Sequence, residues 1–64
     1  MVRINGNDTD AAGRNVLDYL ESAGFDTKRL AVEINGEILP KSMYATSEFN
    51  DGDTVEIVTF VGGG

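Results

Sequence analysis

Few residues in this 64-residue sequence are equipped for chemistry, and those that are lie at its end. The chain has no Cys and no His. That excludes disulfides, thiolate metal sites and a cysteine nucleophile, along with the commonest general base and zinc ligand. What remains is the run Glu56-Ile57-Val58-Thr59-Phe60-Val61-Gly62-Gly63-Gly64. From Val55 to Val61 the branched and aromatic residues fit an extended strand, which passes without a polar linker into three glycines. Glycine has no side chain to pack and loses the most freedom on ordering, so residues 62–64 are expected to form a flexible tail of bare backbone. At roughly 3.3 to 3.6 Å per residue, three extended residues project a terminal carboxylate about 10 Å beyond the body. A tail of that kind suits a partner's narrow channel. A fraying end or a cloning scar has the same composition, but neither explains a strand that runs straight into the glycines in a chain with no tag-like segment.

The rest of the composition sets limits. A chain this short makes one domain, 1–64, and buries only about 60% of the surface its unfolded form exposes. A sizeable internal active-site cavity, and with it self-contained catalysis, is not expected. Eleven acidic residues against five basic give a net charge of −6, which opposes binding to a phosphate backbone and fits either a basic partner surface or solubility alone. An acidic nucleic-acid mimic has only this charge behind it. Asp51-Gly52-Asp53 holds two aspartates about a glycine, but the other ligands of a calcium loop are missing, so no metal is expected. No apolar run of about 18 residues or more and no signal peptide are seen, and a soluble, cytoplasmic protein is expected.

The elements that must position the terminal run follow from local signals. Met1 to Ile4 reads as a strand around Val2 and Ile4, and Asn5-Gly6 accepts the positive φ angles of a two-residue hairpin turn. The return strand falls within residues 7–11, although Asn7-Asp8-Thr9-Asp10 has poor strand propensity. Asn15 is placed to cap a helix over about 16–23, with Asp18 near the positive end of its dipole. Its apolar stripe is Val16, Leu17, Leu20 and Ala23. Gly24 suits the left-handed position after the helix, with Phe25 in place for a Schellman contact onto Leu20. Leu30, Val32 and Ile34 alternate as a strand, Asn35-Gly36 repeats the hairpin signal, and Glu37 to Leu39 returns before Pro40. Residues 41–49 show no clean period and are expected to make a turn or short helical turn, with Met43, Tyr44 and Phe49 under the core. Asn50 to Asp53 is a tight turn into the last strand. One short helix can cover one face of the sheet. That face should receive Ile4, Val32, Ile34, Val55 and Ile57, leaving the other open.

The order ββαββ, connection, β, with a central last strand ending in glycines, resembles the β-grasp or ubiquitin-like fold. That is an α+β class with a mixed four- to five-stranded sheet and one main helix on one face. More narrowly, Asn35-Gly36-Glu37-Ile38-Leu39-Pro40, Asp51-Gly52-Asp53-Thr54-Val55-Glu56-Ile57 and Phe60-Val61-Gly62-Gly63-Gly64 resemble the sulfur carriers of thiamine biosynthesis, the ThiS family. The resemblance covers nearly the whole chain and is most specific over residues 51–64. It implies a protein co-substrate rather than an enzyme, without a cofactor of its own. An ATP-dependent activating enzyme would adenylate the carboxylate of Gly64, with Gly63 its partner in the diglycine. The adenylate would be converted to a thiocarboxylate using a sulfur donor system, and thiazole synthase would accept the sulfur. A Cβ at Gly63 or Gly64 would widen the thread and crowd the carbonyl. A molybdopterin-type carrier of the same fold and a non-conjugating β-grasp interaction module are the alternatives.

Alternation along the last strand adds a docking expectation. Val55 and Ile57 point one way, and Glu56, Val58 and Phe60 the other. Glu56 should not be buried unpaired, so Val58 and Phe60 are expected on the open face, available to partners.

Overall fold

The computed structural model describes residues 1–60. Five strands form one mixed sheet: β1 (Val2–Ile4), β2 (Asn7–Thr9), β3 (Leu30–Ile34), β4 (Glu37–Leu39) and β5 (Thr54–Thr59), with spatial order β2-β1-β5-β3-β4. A single α-helix, α1 (Val16–Ser22), and a 3₁₀ turn, Lys41–Met43, complete the elements among the described residues. β5 lies at the centre, parallel to β1 and antiparallel to β3. This is the β-grasp arrangement expected from the sequence.

Both hairpins are closed by Asn-Gly. Asn5 and Asn35 have φ of 50° and 53°, followed by Gly6 and Gly36 at 84° and 85°, the pair of positive values that a type I′ turn needs. The return strand β2 stops at Thr9 and so is shorter than residues 7–11. Its pairing reaches only from Ile4↔Asn7 to Val2↔Thr9. Beyond that, Ala11 drops into the core, 2% exposed, and leaves the ladder.

At the start of α1, three of the four backbone N–H groups that a helix leaves without an internal partner find one elsewhere. Val16 N donates to Ser47 O at 2.9 Å and Leu17 N to Tyr44 O at 3.1 Å. Asp18 N donates to the Asn15 side chain at 3.0 Å, and from Tyr19 onward the helix bonds itself. Segment 44–49 is thus stitched to the helix by its backbone, although its sequence has no period. The end of α1 is a Schellman motif: Phe25 N donates to Leu20 O at 3.0 Å and Gly24 N to Glu21 O at 3.1 Å, with Gly24 at φ 85°.

Asn15 also donates from Nδ2 to Ala45 O at 2.7 Å, so it both caps the helix and holds the loop. Asn15→Ala removes both bonds and is expected to lower stability by about 1 to 2 kcal/mol, read as a fall in the urea midpoint. An unchanged midpoint would mean that the cap contributes nothing.

The core lies between α1 and one sheet face. Val2, Val16, Leu20, Leu30, Val32, Val55 and Phe49 are its fully buried side chains, with Tyr44, Ile4 and Ile57 nearly so. Burial pushes the Tyr44 phenol above its ordinary pKa. Three expectations shift in detail. Met43 is exposed, because it ends the 3₁₀ turn and the next residue, Tyr44, takes the inward position. Ala23 is exposed as the C-cap of a helix that ends one residue earlier. Ile34 is only half-buried, at the sheet end beyond the helix's cover.

Candidate functional site

β5 delivers the chain to its glycines, and two asparagines fix it from opposite sides. The β1–β5 pairing ends at Ile4↔Val55 because the chain turns at Asn5. The ladder nevertheless continues through a side chain. Asn5 Nδ2 donates to Ile57 O at 3.2 Å, and Ile57 N donates to Asn5 Oδ1 at 2.7 Å. Across β5, Asn35 Oδ1 accepts from Thr54 N at 2.9 Å, and Asn35 Nδ2 donates to Asp53 Oδ1 at 3.0 Å. An amide can do this because it carries a donor and an acceptor side by side, like a peptide group. Each turn asparagine therefore meets two demands, positive φ and a rung for β5. From the sequence, the Asn-Gly pairs were legible as turns but not as clasps, since their partners lie 52 and 18–19 residues away.

On β5, Val55 and Ile57 are buried while Thr54, Glu56 and Val58 face outward, the expected alternation. Val58 is 47% and Phe60 56% exposed. Phe60 N still donates to Arg29 O at 2.7 Å, so the backbone stays tied to the sheet as far as the description extends. Ile38 on β4, 70% exposed, joins them as a third large apolar side chain. The alternation of β4 is too short to reveal it in the sequence. Between these apolar groups, Glu33 on β3 pairs directly with Glu56 on β5 and with Ile38 on β4. Val61 and the expected tail, Gly62, Gly63 and Gly64, lie outside the described residues.

Elsewhere an open groove of about 440 Å³ runs between the β3–β4 hairpin and residues 47–53, at the end of β5 away from the glycines. It is lined by Asn35, Glu37, Glu48 and Asp53 over Ile34 and Leu39. Among the described residues, no group of three or more His, Cys, Asp or Glu is placed to hold a metal. No described helix is long and apolar enough to cross a membrane.

The ThiS family model matches residues 2–64, a span that takes in the whole sheet and the three glycines. The chain belongs to the ThiS family. Relatives of this ThiS-family chain include the sulfur carrier protein ThiS of Bacillus subtilis, 39% identical over 66 residues and matched over 100% of both chains. A thiazole synthase of Paramagnetospirillum magneticum is 48% identical over 62 residues. That match takes in 95% of this chain but only 19% of the synthase, so the chain spans about a fifth of that relative's length. The crystal structure of the ThiS protein from Geobacter metallireducens superposes with a TM-score of 0.75 at 33% identity, covering 98% of this chain and 97% of that one.

Proposed function

We propose that this chain is a sulfur carrier for thiazole formation in thiamine biosynthesis, with the carboxylate of Gly64 as its working group. The observation that carries the reading is the family match, which runs through residue 64 and so includes the glycines as well as the fold. In the proposed cycle a carboxylate oxygen of Gly64 attacks the α-phosphorus of ATP, and pyrophosphate leaves. A sulfur nucleophile then attacks the acyl-adenylate carbonyl, and AMP departs. ATP, the catalytic groups and the sulfur source all belong to partners, an activating enzyme and a sulfur donor system. The chain contributes the carbonyl and its delivery. Thiazole synthase is the proposed acceptor, supported by the synthase polypeptides that contain a stretch similar to this chain. The reading places the protein in the cytoplasm.

Incubation with ATP, the activating enzyme and a sulfur donor tests it. Intact-mass analysis is expected to show oxygen replaced by sulfur at residue 64, with pyrophosphate exchange that depends on the chain. An unmodified mass under conditions that charge a known carrier would refute the reading.

Val58 and Phe60 are the proposed docking residues. Phe60 loses little from the fold when cut back, because more than half of it is already in solvent. Phe60→Ala is expected to shift stability by no more than about 0.5 kcal/mol. An aromatic anchor at an interface is worth about 2 kcal/mol, so binding to the activating enzyme and to the synthase should weaken roughly thirtyfold. Val58→Ala does the same more mildly. Titration calorimetry beside an unfolding curve separates the two effects, and a variant that unfolds while its folded fraction binds normally would reverse the assignment of faces.

A further inference from the structure

Glu33 and Glu56 sit directly opposite each other on β3 and β5. Side chains so placed have Cβ atoms about 4.5 to 5.5 Å apart, and like charges in that position destabilise a sheet. Neither carboxylate has an ion-pair partner among the described residues. Arg3 is engaged by Asp8 at 3.1 Å, and Arg29 lies against Asp26 at 3.9 Å. Glu33 is also half-buried. The fold needs neither residue there, since any polar side chain fills an outward position on a strand. Around the pair stand the exposed apolar groups Ile38, Val58 and Phe60.

We infer that this row is a docking surface for a protein partner that sets an arginine or lysine between Glu33 and Glu56, within an apolar surround that covers Ile38, Val58 and Phe60. Charge complementarity identifies the occupant. Two adjacent carboxylates without a counter-charge accept a cation, and the flanking apolar surface exposed in the free protein excludes water once covered. The fork of an arginine, which can bond both carboxylates at once, suits the site better than an ammonium group. The pair opposes folding in the free chain and favours the complex, so it acts as a specificity element. A partner that covers the apolar groups without supplying a cation must bury two uncompensated charges, and is rejected. The inference rests on the carrier reading for its partner, the activating enzyme.

The test uses the full chain as wild type, Glu33→Gln, Glu56→Gln and the double variant. Each is measured for urea midpoint, for Kd with the activating enzyme at low and high salt, and for charging at saturating enzyme. Each single substitution is expected to raise the midpoint while weakening binding about tenfold at low salt, with the difference shrinking at high salt. The double variant should bind less tightly than either single one. Unchanged Kd values beside normal charging overturn the docking pair and leave the carrier reading intact. Lower midpoints that track weaker binding also overturn it, because the residues would then be structural. Failure of the wild-type chain to be charged refutes the carrier reading, and with it the partner named here.

Discussion

Phe49→Ala is expected to remove a large part of the folding stability of the chain, about 3 to 5 kcal/mol. Phe49 is 1% exposed and the largest fully buried side chain. Its ring meets that of Tyr19 edge-on, with centroids 5.6 Å apart and planes at 87°, a geometry that adds attraction beyond the area buried. The backbone of Phe49 is tied as well: its N–H donates to Arg14 O at 3.0 Å, and its carbonyl accepts from Gly13 N at 2.8 Å. Removing a buried Phe side chain costs about 3 to 5 kcal/mol. A domain of 64 residues has only about 3 to 10 kcal/mol in total, at roughly 0.05 to 0.15 per residue. The loss therefore consumes the margin at its lower end and much of it otherwise. Urea unfolding followed by circular dichroism should place the midpoint far below that of wild type, and Phe49→Leu, which refills most of the space, should recover much of the difference. A midpoint within experimental error of wild type for the alanine variant would mean that the site closes around the void.

Phe49 also shows what a sequence reading can and cannot supply here. Its burial was legible, because a large aromatic beside polar neighbours in so small a chain has few other places to go. The route that brings it there was not. Residues 44–49 reach the core through backbone bonds to the start of α1, at Val16 N and Leu17 N, and to Gly13 N in the turn before it, and backbone partners leave no trace in side-chain periodicity. α1 and β3 were readable because their signals are local: a cap at Asn15, a glycine at 24, alternation from Leu30 to Ile34. Met43 was misplaced because two adjacent apolar residues on a tight turn cannot both face inward, and nothing local says which will. The outward face of β5 followed from alternation together with the charge of Glu56, which should not be buried unpaired. Its acidic row did not, because the opposition of Glu33 and Glu56 depends on a register set between strands about twenty residues apart. The asparagine clasps escaped for the same reason.

Deleting Gly64 is expected to slow charging by about a hundredfold or more without lowering stability. The truncated chain still ends in a glycine carboxylate, at Gly63, so its intrinsic chemistry is unchanged. Only reach differs. One extended residue spans roughly 3.3 to 3.6 Å, while a displacement of about 1 Å can cost a hundredfold where a nucleophile must sit in line with its target. In the proposed cycle the carboxylate would then stop short of the α-phosphate unless β5 itself moved deeper into the partner. That is resisted by the anchoring of the strand: Asn5 bonds both backbone groups of Ile57, and Phe60 N bonds Arg29 O. Stability should be unaffected, since glycine has no side chain to bury. Two companion variants separate reach from crowding. Appending one further glycine should also slow charging, because it displaces the carboxylate the other way. Gly64→Ala keeps the length and adds a Cβ beside the reacting carbonyl, and should be impaired through crowding. Pyrophosphate exchange at saturating activating enzyme is the measurement. Full-rate charging of the truncated chain would show that the terminus is not held in register, and the account of β5 as a rigid delivery strand would fall.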